Sequence, residues 1–278
     1  MMIMNALSID VEEYYHGMEF EAAVPGNNRE DLPSRVEDSV DRVLILLSAH
    51  NTRATFFTVG RIAEAHPAMI RKIDHEGHEV ACHSYRHELV FRQSPNEFRN
   101  DIQRAKAVLE DLTGKAVLGY RAPNYSIKRE QAWAYDILLE EGFRYDSSIY
   151  PIFHDRYGDP KAPRFPYEMR RDGRNKLLEF PIGTICLFGV NLPIGGGGYF
   201  RLLPKLLFES SIRWVNKKEK QPVMFYFHPW ELDPDQPRPP MPWFHRFRHY
   251  VGLKREESKL THLVQHIRFS PIREILGF

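Results

Sequence analysis

Residues 53–82, RATFFTVGRIAEAHPAMIRKIDHEGHEVAC, decide the fold. The segment RATFFTV (53–59) is β-branched and aromatic and reads as a strand. Residues 61–76 read as a helix with Gly77 as its stop, and HEVA (78–81) reads as the next short strand. A strand, a helix and a second strand in succession imply parallel pairing through a crossover. The same rhythm runs outward in both directions. Residues 3–11 read as a strand, and 35–50 as a helix with Val36, Val40, Val43, Leu44 and Leu47 at helical spacing. Residues 95–113 open on Ser94-Pro95 and carry Phe98, Ile102, Ala105, Val108, Leu109 and Leu112, an amphipathic helix. Val117–Tyr120 reads as a strand, 128–141 as a helix closed by Gly142, and Leu177–Pro181 and Val223–Phe227 as further strands. This alternation predicts an α/β fold. Its regularity favours a (β/α) barrel over an open sheet, with the chemistry at the C-terminal ends of the strands.

Three stretches interrupt the rhythm. Residues 149–176 read as a long ordered excursion, and 191–204 contain the glycine run Gly195–Gly198, read as a tightly turned or flexible loop near the cleft. That run lacks the GK[ST] ending of a phosphate cradle. Asp233–Pro242 reads as a proline-rich wrap, followed by a basic, partly helical tail over 243–278. The expected organisation is a barrel over 1–232, with insertions at 149–204, and an extension over 233–278 packed on it.

Composition narrows the function. The chain has 278 residues, 42% hydrophobic and 27% charged, which excludes disorder, collagen-like repeats and a coiled-coil rod. Thirty-eight basic against 37 acidic residues give a net charge of +1, without the basic footprint of a nucleic-acid binder. Cys82 and Cys186 form no CxxC pair and read as two free thiols. The N-terminal MMIMNALSIDVEEYYH does not read as a signal peptide, and no run of about 18 apolar residues suggests a membrane span. The expected compartment is therefore the cytoplasm. The basic, aromatic tail (Trp243, Phe244, Arg246, Phe247, Arg248) suits a membrane surface or, preferably, packing across the barrel end.

Five clusters fall just after predicted strands. Asp10 and Glu12 alternate at the end of the first strand and share a face. His83 and His87 stand four apart in HSYRH, a metal-ligand spacing on a helix or tight turn. GYRAPNY (119–125) places Arg121 in a rigid turn, YDSS (145–148) supplies Asp146, and FYFHPWE (225–231) supplies His228. Each alone reads equally well as an ordinary surface loop, turn or helix cap. Together they make the inventory for metal-assisted hydrolysis: carboxylates, two metal-type imidazoles, an arginine and a third histidine. Tyr14, Tyr15, Tyr125, Tyr199, Phe200 and Trp230 are candidates for stacking on a sugar, each with core packing as the plainer reading.

With these residues in view, the sequence resembles the polysaccharide deacetylases of carbohydrate esterase family 4, the NodB-homology group. The resemblance rests on SIDVEEYY (8–15), RATFFTVG (53–60), HEVACHSYRHE (78–88), GYRAPNYS (119–126), RYDSSIYP (144–151) and FYFHPWE (225–231). The segments YDSSIYPIFHDRYG, EFPIG, LPIGGGGYFRLLP and FHPWELDPDQPR are similar to a branch linked to exopolysaccharide clusters with exosortase-type sorting. The resemblance implies a distorted (β/α) barrel of that family's type and removal of N-acetyl groups from hexosamines of a polysaccharide or its precursor. It makes Asp10 the catalytic base and His83 and His87 the metal ligands. It makes Arg121 the partner of the base, His228 the proton donor, Asp146 the acid that steers His228, and the Asn124 backbone N–H an oxyanion donor. The family's commoner second aspartate is replaced by Val11. Glu12 therefore takes the metal-ligand role, with Glu13 or Asp10 as alternatives. The implied cofactor is a divalent ion, zinc first, with cobalt, nickel or iron suited to the same donors. The rival readings are a metal amidohydrolase or esterase on a small non-sugar substrate and a non-catalytic carbohydrate-binding relic.

Overall fold

The computed structural model describes residues 3–17, 19–20 and 32–278. In chain order the elements that position the site begin with strand β1 (Asn5–Val11), helix α1 (Val36–Ala49) and β2 (Thr55–Thr58). Next come α2 (Gly60–Ala65), α3 (Pro67–His75), β3 (Glu79–Cys82) and α4 (Pro95–Thr113). They continue with β4 (Gly119–Tyr120), α5 (Trp133–Glu140), β5 (Tyr145–Asp146), β6 (Tyr167–Asp172) and β7 (Asn175–Glu179). The second half holds β8 (Thr184–Leu187), β9 (Val190–Pro193), α6 (Gly197–Leu202), α7 (Lys205–Trp214) and β10 (Met224–Phe227). The chain ends with α8 (Trp243–Tyr250), α9 (Leu253–His266), β11 (Phe269–Ser270) and α10 (Ile272–Leu276).

The main sheet runs β10-β1-β2-β3-β4-β5-β7-β6, with β11 also on β1. All its pairs are parallel except β6 with β7, a hairpin that starts within the excursion expected over 149–176 and ends on the strand read at 177–181. All seven residues of β1 are buried, as a strand covered on both faces requires. Alternation then sorts its side chains. Leu7, Ile9 and Val11 join the layer under the helices, while Ala6 joins an inner cluster with Phe57, Ala81, Tyr145, Met224 and Tyr226. Ser8, Asp10 and Glu12 follow Ala6 in that alternation, toward the barrel mouth.

The sheet curls without a continuous closing ladder. Past β7 the chain leaves β5 through Phe180 N–H to Asp146 O (2.9 Å) and crosses to β10. There Gly183 N–H donates to Met224 O (3.0 Å) and Tyr226 N–H to Gly195 O (2.7 Å). These isolated bonds are the distortion of the barrel, and they explain the glycine run. A Cβ on Gly196, whose φ is +109°, would lie 1.9 Å from Tyr226 O, so only glycine lets the loop seat on β10. The run is a close backbone approach, not a phosphate cradle.

Two helices depart from the sequence reading. The helix expected over 61–76 is broken into α2 and α3, because Pro67 starts a new helix and His66 leaves helical geometry (φ −128°, ψ 58°). The helix expected over 128–141 is a 3₁₀ turn, Arg129–Gln131, followed by the shorter α5. By contrast α4 spans Pro95–Thr113 as read, opened by a reciprocal Ser94–Glu97 capping box and ended by left-handed Gly114. The C-terminal tail is integral. β11 extends the sheet beside Asn5 and Ala6, and Ile272 of α10 plugs the inner cluster from the end opposite the site. No described helix is long and apolar enough to cross a membrane.

Two stability predictions follow from these contacts. Gly196→Ala forces an L-residue into a φ it avoids and a backbone oxygen out of place, so unfolding free energy falls by about 1–3 kcal/mol or more. A urea midpoint equal to wild type would contradict the seating of this loop. His78 is buried beneath β2 and its Nδ1 accepts from Ala54 N–H (3.2 Å). Burial, aided by the charge of Arg53, pushes its pKa down to about 4 from 6.5. Its share of stability is therefore full above pH 6.5 and is lost as pH falls toward 4. His78→Asn, which keeps an acceptor but does not titrate, flattens the unfolding temperature against pH across that window. An unchanged slope would contradict the assignment.

Candidate active site

Arg121, just past β4, is wholly buried at the centre of the barrel mouth. Its Nη1 donates to Asp10 Oδ1 (2.6 Å) and Ser8 Oγ (2.8 Å), its Nε to Ser147 O (3.0 Å) and its Nη2 to Ser147 Oγ (2.8 Å). The guanidinium lies 4.2 Å over the Phe57 ring. Burial works against the charge, but Asp10 more than offsets it and keeps the arginine protonated. Asp10 is thus fixed through Oδ1, and its Oδ2 faces His228 Nε2 at 4.0 Å.

Beside Asp10, Glu12 meets the two histidines of the 83–87 loop. His87 Nε2 lies 2.6 Å and His83 Nε2 3.9 Å from Glu12 Oε2. One ligand atom from each of the three falls within 4.8 Å of the others. His83 Nδ1 lies 2.8 Å from Arg121 O. A carbonyl only accepts, so the proton sits on Nδ1 and Nε2 keeps its lone pair. His87 Nε2 is buried and, despite its closeness to Glu12, lacks the alignment of a hydrogen bond. Two donors side by side and aimed past each other suit a shared cation, and two imidazoles with a carboxylate suit zinc. The loop is not helical, since Ser84 and His87 are both left-handed (φ +63° and +58°), so the four-residue spacing is delivered by a tight turn. Burial opposes ionisation of Glu12, yet His87, His228 and His83 together hold its carboxyl well below the usual range. Burial drives the His83 pKa down to about 4, so its imidazole is neutral, as a ligand must be.

Glu13 is otherwise engaged. It accepts from Ser34 Oγ and from Arg35 N–H (3.2 Å), capping the approach to α1, and does not join the group of Glu12, His83 and His87.

His228 closes the group from the end of β10. Its Nδ1 bonds Glu231 Oε1 at 2.7 Å, and its Nε2 faces Glu12 Oε1 at 3.6 Å. Burial would favour the neutral ring, but Glu12, Glu231 and Asp10 raise its pKa to about 9. Glu231 is itself fully buried, and its Oε2 meets Arg201 Nε at 2.8 Å. Arg201 in turn donates to the carbonyls of His249 and Arg248 from α8. Trp230 stacks on His228 and donates from Nε1 to Glu12 Oε1 (3.2 Å).

Glu231 therefore holds the place the sequence reading gave to Asp146. The reason is strand parity. Tyr145 of β5 faces the inner cluster and Ser147, just past the strand, reaches Arg121, so Asp146 between them points the other way, toward Tyr135 of α5, whose pKa burial foremost and then Asp146 raise. Asp146 Oδ1 accepts from Ser148 Oγ (2.6 Å), which accepts from Ala122 N–H (2.8 Å). It braces the Arg121–Asn124 turn and does not steer His228. That turn puts Asn124 on the cleft wall in a left-handed conformation (φ +51°). Of the aromatic candidates, Tyr125, Tyr199 and Trp230 line the cleft, joined by Tyr226, Phe244 and Phe247. Tyr14 and Tyr15 pack on Phe20 and Trp230, and Phe200 is core.

A sequence model of the family "Polysaccharide deacetylase" matches residues 30–137. The chain carries a polysaccharide deacetylase domain. A second model, "Domain of unknown function (DUF3473)", matches residues 147–277. The deacetylase domain holds His83, His87, Arg121 and Asn124, whereas Arg201, His228 and Glu231 lie in the second match. The chain is 30% identical over 127 residues to a peptidoglycan deacetylase of Helicobacter pylori, covering 44% of this chain and 42% of that one. It is 35% identical over 94 residues to a peptidoglycan-N-acetylglucosamine deacetylase of Bacillus cereus, covering 34% of each. The matches thus span less than half the length of these curated relatives. In fold it is similar to a solved polysaccharide deacetylase structure from Mycobacterium smegmatis (TM-score 0.64, 19% identity, 99% of this chain and 88% of that one). One from Pseudomonas aeruginosa PAO1 compares equally (TM-score 0.64, 18% identity, 99% and 89%).

Arg121→Met leaves Asp10 buried without its cation and should cost about 3–5 kcal/mol of stability. Adding Asp10→Asn removes the stranded charge and recovers part of the loss in a double-mutant cycle. Additive losses by chemical denaturation would contradict the pairing.

Proposed function

We propose that the chain is a metal-dependent hydrolase that removes N-acetyl groups from hexosamine residues of a polysaccharide or its precursor. The observation that carries this is the meeting of three units in one cleft: Glu12 with His83 and His87, Asp10 on Arg121, and His228 on Glu231. Curated relatives bear the names peptidoglycan-N-acetylglucosamine deacetylase and chitooligosaccharide deacetylase, which supports an N-acetylated amino sugar as substrate. The exopolysaccharide-branch motifs support an exopolysaccharide as the polymer.

Glu12, His83 and His87 would hold the divalent ion, zinc by donor type. Such an ion supplies Lewis acidity toward the acetyl carbonyl and a lowered pKa for water. Asp10, held by Arg121 with Oδ2 free, takes the proton of the attacking water. The Asn124 N–H at the cleft wall donates to the oxyanion that develops as the carbonyl carbon becomes tetrahedral. His228 gives its Nε2 proton to the departing amine as the C–N bond breaks, leaving acetate and a free amino sugar. Once Glu12 is committed to a cation, Glu231 is the partner that keeps His228 protonated. Tyr199 and Trp230 offer faces on which a sugar ring can stack.

The full set of base, ligands and acid favours catalysis over a binding relic. Release of acetate from N-acetylglucosamine oligomers tests it: activity is expected, abolished by chelation and restored by zinc or cobalt. Oligomer binding without acetate release by the reloaded chain would instead establish the relic, and acetate release only from small esters or amides the non-sugar alternative.

His228→Ala should lower kcat by about 10²–10⁴-fold. Glu231→Gln should lower kcat by at least about tenfold with KM little changed, because it perturbs the proton donor and not the sugar contacts. Unaltered kcat in Glu231→Gln would remove it from the proton-donating unit.

A further inference from the structure

Away from the cleft, α7 and α9 bring another set of donors together. Glu209 lies on α7, and His262 and His266 lie one turn apart on α9. A ligand atom from each falls within 4.8 Å of the other two. His262 Nε2 is 2.8 Å from Glu209 Oε2, and the two imidazoles stack with centroids 4.2 Å apart. None of the three lines the cleft.

Their neighbours orient the donors. Arg213 Nε donates to Glu209 Oε1 (2.8 Å), which leaves Oε2 turned to the histidines. Arg213 Nη2 also donates to His266 O (2.8 Å), tying the end of α9 to α7. His266 Nδ1 lies 2.8 Å from His262 O, so it carries the proton and Nε2 is left as the donor atom. Partners of this kind fix the tautomer and ring direction of metal-bound histidines. His266 is exposed, so an ion can arrive from solvent.

We propose that Glu209, His262 and His266 form a second divalent-metal site, of zinc-binding chemistry, that staples α9 to α7. Two imidazoles and a carboxylate match zinc donors, and three protein ligands leave the remaining positions to water. The bound ion takes the place of the His262–Glu209 hydrogen bond. The site sits at the C-terminal end of α9, three residues before β11, so it secures the segment that adds β11 to β1. Its contribution is to stability, since an ion that binds only the folded arrangement favours it.

The test uses the full chain, stripped of metal and titrated with zinc alone. His87→Ala disables the cleft site, so any specific equivalent it retains belongs elsewhere. His87→Ala is expected to bind about one zinc, with an unfolding temperature that rises by a few degrees at saturation. Adding His266→Ala, an exposed substitution, should abolish both binding and shift without altering the metal-free circular dichroism spectrum. Adding Glu209→Gln instead should weaken binding at least tenfold. No zinc bound by His87→Ala would overturn the proposal. So would zinc bound equally by His87→Ala and its His266→Ala derivative, which would mark adventitious surface binding. Failure of the cleft assignment has a different signature: wild type and His87→Ala would take up equal amounts of zinc.

Discussion

The Arg121–Asp10 ion pair is the constraint around which the barrel mouth is arranged. A guanidinium without solvent is tolerable only if its donors are matched, and here strand β1 and the turn after β5 match them. Asp10 and Ser8 come from β1 and both Ser147 atoms from the turn after β5, so the pair fixes strands distant in sequence. The carbonyl of Arg121 then sets the tautomer of His83. One residue thus orients a carboxylate with one oxygen left toward His228 and an imidazole suited to a cation. The same burial that makes the pair costly to break leaves Asp10 almost without contact with solvent.

The other half of the cleft depends on the C-terminal part of the chain. His228 leans on Glu231, Glu231 on Arg201, and Arg201 on the carbonyls that end α8. A Cβ on Gly252, whose φ is +77°, would stand 2.4 Å from Arg201 O, so the start of α9 closes tightly over that arginine. The region matched only to a domain of unknown function is therefore no appendage to the deacetylase domain. It supplies the third histidine, the acid that orients it and part of the cleft wall, through Phe244 and Phe247.

Most of the architecture was legible in the sequence because strands buried on both faces read as short apolar runs and helices as periodic ones. The barrel strands and α4 came through clearly on that basis. The break at Pro67 was legible in principle, since proline opens helices as readily as it ends them. The two-residue strand β5 and strand β6, which pairs back on β7, were not, because long-range pairing alone defines them. At the site, the residues whose chemistry is local (Asp10, Glu12, His83, His87, Arg121 and His228) could be singled out by position after strands, Asn124 only through the family resemblance, and the fold gathers them. Asp146 could not be placed correctly without the parity of β5. Glu231 left one signal: HPWE puts proline at the first position of a turn and an acid three residues after His228, a capping pattern. Arg201 left none, for its role exists only once α8 and α9 have folded over it.

The account stands on Glu12, His83 and His87 acting as one metal site. The direct measurement is metal content by elemental analysis of wild type, His83→Ala and Glu12→Ala, each purified in the same zinc-containing buffer. The account predicts that each variant carries about one ion per chain fewer than wild type while keeping its folded circular dichroism spectrum. A Glu12→Ala chain that retains as much metal as wild type would take the carboxylate out of the site and contradict the account.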